Sequence, residues 1–145
     1  LVNTPGIAAE TMRTDRLVAV MKADHPLAGL GVVGPADLSA HNLIGLERDS
    51  QLGLAVQNAF NLARVTYSPQ AVVRYCHTAA VLAHACNGVA VVDRYTASFM
   101  PNVELVVRPF DPPIAISACL LIRQGREPSR LVLEFRAAML KALTG

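Results

Sequence analysis

The chain has 145 residues, 52% hydrophobic and 17% charged, with a formal net charge of +2. This balance suits one globular domain with a real core, and the singly scattered Lys and Arg exclude a basic tail or stripe for binding nucleic acid directly. No run approaches the ~18 apolar residues needed to span a membrane, no secretory n-region and h-region opens the chain, and three cysteines without CxxC spacing favour a reducing cytoplasm over a disulfide framework.

The opening LVNTPG lacks an initiator Met, and its apolar pair reads as the tail of a strand, so the chain is expected to be a piece of a longer protein. DRLVAVMK (15–22) reads as a strand, broken at ADHPLAG by Pro26 and Gly29. GPADLSAH (34–41) reads as a short helical turn with Pro35 near its start, and NLIGL (42–46) as a short buried strand. In SQLGLAVQNAFNLA (50–63), Leu52, Val56, Ala59, Phe60 and Ala63 share one face at helical spacing, with Ser50 or Asp49 as N-cap. VTYSPQAVVRY (65–75) is expected to be extended, with Pro69 marking a break or an edge. A helix follows over about 77–86 and stops at Asn87-Gly88. GVAVVD (88–93) is a buried strand and RYTASFM (94–100) a short helix. VELVVRPF (103–110) and IAISACLLIRQ (114–124) are strands separated by DPP, and SRLVLEFRAAMLKAL (129–143) is an amphipathic helix with Val132, Phe135, Met139 and Leu143 on its apolar face.

Strands alternate with helices, and the central strands are continuous apolar runs. That pattern predicts an α/β fold with a mainly parallel sheet covered on both faces. Ligands of such sheets bind beyond the carboxyl ends of the strands, where helix N-termini gather. Two junctions qualify, GLERDSQ (45–51) and RYCHTA (74–79), and VVDRY (91–95) is a third strand end.

YCHTAAVLAHACNGVAVVD (75–93) places two cysteines and two histidines close together. A metal site fits poorly. Cys76 and His77 are adjacent and diverge by about 100° on a helix, while His77 and His84 lie two turns apart. A thiol nucleophile fits little better: Cys76 would gain thiolate character at a helix start, but His77 cannot easily fold back to serve it and no orienting acid is specified. Cys86 and Cys119 read as small core residues, His84 as a part-buried helix residue, and His25 and His41 as turn residues. The helix starts carry more. Free N–H groups and the helix dipole at His77-Thr78, and again at Ser50-Gln51, favour a carboxylate or phosphate. Asp93 or Asp49 would pair with an ammonium group. Plain N-capping by Thr78 and Ser50 is the competing reading, and the two roles are compatible.

LVAVMKADHPLA (17–28), ADLSAHNLIGL (36–46), NGVAVVD (87–93) and the closing LLIRQGREPSRLVLEF occur in an order that resembles the effector-binding domain of LysR-type transcriptional regulators. The likeness runs along essentially the whole chain. IGLERDSQLGLAVQNAF and CHTAAVLAHACNGVAVV are most similar to members that sense diaminopimelate or related amino acids and opines; His77-Thr78-Ala79-Ala80 stands where that subgroup has His-Ser/Thr-Ala-Ala. The chain departs from the family at Cys86-Asn87-Gly88, where two glycines are common, and at Asp93-Arg94, where Asn-Pro or a single Pro is common.

The resemblance implies a periplasmic-binding-protein-like (type II), two-lobed, Rossmann-like fold with the effector between the lobes. Residues 20–105 would form the second lobe. Residues 1–19 and 106–145 would supply the crossings and the returning strand and helix of the first lobe, whose exposed apolar face would need covering. The implied function is effector sensing, not catalysis, with no cofactor and no metal. An amino-acid-like effector would meet Asp49, Ser50, Gln51, His77, Thr78 and Asp93, with Thr4 of the opening segment also lining the site. The implied partners are that effector, a second copy (a homodimer or tetramer), and DNA through an N-terminal winged helix–turn–helix not present in this chain. A solute-binding protein of a transporter shares the design; the unpaired cysteines and missing export signal argue against it. A Cys76-dependent enzyme is the third reading.

Overall fold

The computed structural model describes residues 4–100 and 103–144, so the apolar pair Leu1-Val2 lies outside the described residues. In chain order it contains β1 (Ile7–Met21), a 3-10 turn (Pro26–Gly29), α1 (Pro35–Ser39), β2 (Leu43–Leu46), α2 (Gln51–Leu62), β3 (Ala71–Val73), α3 (Cys76–Ala85), β4 (Val89–Asp93), α4 (Arg94–Ser98), β5 (Val106–Pro109), β6 (Ala115–Arg123) and α5 (Arg130–Thr144). The chain divides into two compact units. The larger is Arg16–Ala115; the smaller joins the residues up to Asp15 to those from Ile116 onward.

In the larger unit the strand order is β3-β2-β4-β1-β5. β2 pairs in parallel with β3 (Leu46 opposite Val73) and with β4 (Ile44 opposite Ala90). β1 is antiparallel to β4, with Leu17 opposite Asp93 and Met21 opposite Val89, and antiparallel to β5. The expected mainly parallel sheet is therefore corrected to a mixed one: β3, β2, β4 and β5 run one way and β1 runs against them. An apolar run such as LVAVM records burial, not direction. No helical crossover joins β1 to its neighbours in the manner that enforces parallel pairing. Coverage of both faces is real. All of Leu17–Met21 and Val89–Val92 are buried, and consecutive strand residues point to opposite faces.

α2 buries Val56, Ala59 and Phe60 at helical spacing. Phe60 is 0% exposed and meets Tyr67 edge-on at 5.1 Å. α3 buries Ala79, Ala80 and Ala83, each 0% exposed, so its backbone packs close to the sheet. It ends with Asn87 in the left-handed region (φ 48°) while Gly88 N–H returns to Ala83 O at 2.8 Å, the bonding of a Schellman stop. Gly88 is small for a separate reason: a Cβ there would fall 2.5 Å from Asn42 O. Only Ala71–Val73 of the extended 65–75 stretch joins the sheet.

In the smaller unit β6 pairs with β1. Thr14 and Ser117 hydroxyls meet at 2.9 Å. Arg136 of α5 donates to Glu10 of β1 at 2.7 Å, and its guanidinium holds the Glu10 carboxyl below the usual range; Arg13 donates to Leu143 O. Residues of β6 alternate between exposed and half-buried. On the apolar face of α5 Phe135 and Met139 stay exposed while Val132 and Leu143 are half-buried, and Leu121 of β6 and Leu131 and Leu133 of α5 are exposed as well. Cys119 falls on the exposed set of β6 and Cys86 caps the end of α3 in solvent; both were expected in the core and neither is there. Period-2 alternation and a helix terminus decide their exposure, whatever the thiol's apolar character.

Candidate functional site

The parallel register brings the carboxyl ends of β2, β3 and β4 to one edge of the larger unit's sheet. Glu47 N–H continues the ladder to Val73 O at 3.0 Å, and Glu47 and Arg74 form an ion pair at 3.7 Å just past the two strands. From this edge α2, α3 and α4 depart, so three helix starts converge there. Each is finished differently.

Ser50 caps α2. Its hydroxyl accepts from Gly53 N–H at 3.0 Å and donates to Glu47 O at 2.7 Å. Gly53 makes this closure possible: a Cβ there would stand 2.1 Å from Glu47 O and 2.9 Å from Leu46 O. Asp93 caps α4, accepting from Thr96 N–H at 2.7 Å and from the Thr96 hydroxyl at 2.6 Å. α3 has no such closure. Its N-cap is Tyr75, whose side chain makes no capping bond. Ala79 N–H makes the bond back to Tyr75 O, which leaves the His77 and Thr78 N–H groups outside the helix's own ladder. His77 and Thr78 are both exposed. N-capping by Thr78 is thereby corrected, since it is the third residue of the helix rather than its cap.

Asp49 and Gln51 are exposed beside Ser50. Thr4, assigned to the same site, belongs to the smaller unit, where it is exposed and its carbonyl accepts from Ile7 N–H at 3.1 Å. Six of the seven predicted residues thus lie along one edge of one unit.

Cys76 is the first residue of α3 and is half-buried against Asp93. Burial pushes its thiol up to about 11, and the Asp93 carboxylate adds to the rise. The helix start was expected to favour thiolate; desolvation and a neighbouring anion outweigh the dipole. A protonated thiol is a poor nucleophile, so Cys76 serves as a packing partner for Asp93. Among the described residues no group of three or more His, Cys, Asp or Glu is placed to hold a metal ion. None of the helices described is long and apolar enough to cross a membrane. The Glu47–Arg74 pair escaped the sequence reading because it depends on β2 and β3 being neighbours, which only their register discloses.

The family model for the LysR substrate binding domain matches residues 1–144. The regulatory protein NocR of Agrobacterium tumefaciens is 29% identical over 139 residues, which are 96% of this chain and 46% of that protein. The chain therefore spans about half the length of the curated relatives it matches. Among solved structures, HinK, a LysR family transcriptional regulator from Pseudomonas aeruginosa, superposes with a TM-score of 0.75 at 14% identity, covering 99% of this chain and 50% of that one. The BenM effector binding domain, solved with its effector benzoate, gives 0.64 at 20% identity, covering 98% and 65%. These likenesses carry the mixed α/β fold of the type II periplasmic-binding-protein class.

Proposed function

This chain belongs to the LysR substrate-binding domain family, and on that premise we propose that it is the sensing part of a bacterial transcription regulator. The larger unit corresponds to the second lobe, and the segments flanking it to the crossings and to returning elements of the first. The effector is a small carboxylate of amino-acid type. Its carboxylate meets the start of α3 at His77 and Thr78, with Ser50 and Gln51 alongside, and its ammonium group meets Asp93 or Asp49. The observation that carries this reading is the start of α3. It has free N–H groups, a hydroxyl and no side-chain cap, at a strand edge where both neighbouring helix starts are already closed. That BenM takes benzoate supports a carboxylate as the anchoring group.

No bond need be made or broken. The effector shifts the balance between two states of the regulator by its differential affinity for them, and DNA is contacted by a segment outside this chain. The protein works in the cytoplasm as a homodimer or higher assembly and carries no catalytic function. The test is a thermal-shift panel on the intact regulator: diaminopimelate, lysine, ornithine, arginine and opines, against benzoate and dicarboxylic acids. A ligand at ~100 times its dissociation constant stabilises by about 2.7 kcal/mol. A shift with a zwitterion that disappears in Thr78→Val supports the assignment. A shift that survives Thr78→Val moves the carboxylate elsewhere, and shifts with only the simple acids remove the ammonium subsite.

A further inference from the structure

The edge opposite the three helix starts holds a second group of titratable side chains. β1 ends at Met21, opposite the first residue of β4, and the chain turns through Lys22–His25 into the 3-10 turn Pro26–Gly29. Pro26 has no N–H, so Leu27 presents the first donor of the turn. His25 Nδ1 accepts it at 3.2 Å. Residues that usually cap helices, Ser, Thr, Asp and Asn, keep their acceptor at every pH near neutrality. An imidazole does not: Nδ1 accepts only while it carries no proton, so this cap exists only in the neutral, Nε2–H form. His25 is 3% exposed and is the only buried polar or charged residue among those described. The His41 ring, from the segment between α1 and β2, lies against it with centroids 4.9 Å apart.

We propose that His25 and His41 form a proton-operated latch on the turn after β1, closed while His25 is neutral and opened when His25 takes a proton. A proton on Nδ1 turns the acceptor into a second donor facing Leu27 N–H. It also places a charge in a buried site beside a ring that is itself protonatable. Burial and His41 both oppose that charge and hold the His25 pKa below its ordinary value; Asp24 works the other way. Asp24 is exposed and shared with Lys22 at 3.9 Å. The other cation at the turn is Arg108 of β5, whose guanidinium donates to Ala28 O at 3.0 and 2.6 Å. Through that carbonyl the latch reaches β5, and the register continues from there: Val33 N–H bonds Pro109 O and Asp111 N–H bonds Val33 O, each at 3.0 Å. Opening releases Leu27 and Ala28 from the core and removes the carbonyl that fixes Arg108. The device lies away from the proposed effector edge and does not depend on what binds there.

The experiment is amide hydrogen exchange on the intact protein from pH 8 to pH 5, corrected for intrinsic rates. Protection at Leu27 and Ala28 is expected to fall by up to about tenfold per pH unit below ~6.5, while Val56 and Ala59 of α2 keep theirs. His25→Asn keeps an acceptor without a titrating group and should flatten the profile. His41→Gln removes the opposing ring and should shrink the fall. A parallel loss in α2, or an unchanged fall in His25→Asn, overturns the latch. Should His25→Asn not fold, imidazole nitrogen shifts of the unmodified protein decide the matter. An Nε2–H tautomer at pH 7.5 that titrates below 6.5 supports it; an Nδ1–H tautomer, or titration at or above 6.5, refutes it.

Discussion

Gly53→Ala adds one methyl group at the point where α2 leaves β2. In an exposed helix the change would stabilise by about 1 kcal/mol, because alanine has the better helix propensity. Here the new Cβ would stand 2.1 Å from Glu47 O, 2.9 Å from Glu47 C and 2.9 Å from Leu46 O, all backbone atoms that cannot rotate aside. Relief requires the first turn of α2 to move away by roughly 1 Å, and overpacking of this kind costs about 1–3 kcal/mol. The same movement stretches the Ser50 bonds to Gly53 N–H and Glu47 O, a cap whose loss costs about 1 kcal/mol. The balance is a destabilisation of about 2 kcal/mol, or a melting temperature lower by about 4–8 °C for a domain of this size. Gly31→Ala is the control, since a Cβ there meets nothing within 4 Å. Both variants would be compared by thermal and urea denaturation. A Gly53→Ala protein as stable as the Gly31→Ala control, or more so, would refute the claim that close approach, rather than helix propensity, governs this position.

Ser50→Ala should cost about 1 kcal/mol in urea denaturation through loss of the α2 cap, with no effector present. Asp93→Asn keeps one oxygen for Thr96 N–H and replaces the other acceptor, which binds the Thr96 hydroxyl, with an amide; it should lower the melting temperature only slightly while weakening a zwitterionic effector in isothermal titration, and equal affinity would exclude Asp93 as the ammonium partner. With its thiol near 11, Cys76 is only about one part in a thousand thiolate at pH 8, so iodoacetamide followed by peptide mapping should label exposed Cys86 and Cys119 well before it. The lowered pKa of His25 has a fixed sign for stability: the folded state binds this proton less readily than the unfolded chain. Its contribution is complete above the unfolded value near 6.5 and declines as pH falls towards the folded pKa, and His25→Asn should remove that portion of the acid sensitivity seen in denaturation midpoints.

Much of this molecule is legible from local pattern. Helical spacing in 50–63 marks α2 and its buried face. Ser50 reads as a cap because a short hydroxyl side chain before a periodic run has one obvious acceptor role. Asn87-Gly88 marks the end of α3, and unbroken apolar runs mark strands buried on both faces. These features depend on neighbours within a turn or two of chain, so composition and period suffice to find them. The six edge residues from Asp49 to Asp93 were placed by the rule that parallel strands gather helix starts at their carboxyl ends, and that rule needs only the order of elements.

What the tertiary structure decided depends on partners distant in sequence. The direction of β1 against β4 and β5, the Glu47–Arg74 pair, and the Arg108 bond to Ala28 O each join segments whose proximity no local pattern encodes. Cys76 shows the difference most sharply. Its sequence position at a helix start favours thiolate character, whereas burial against Asp93 holds the thiol protonated. His25 shows it again: a turn residue by pattern, it becomes a buried acceptor only because the sheet, the 3-10 turn and His41 close around it. Backbone preference and side-chain period act over a few residues and are written in the order of the chain; desolvation and long-range charge act over a few ångströms and exist only once the chain has folded.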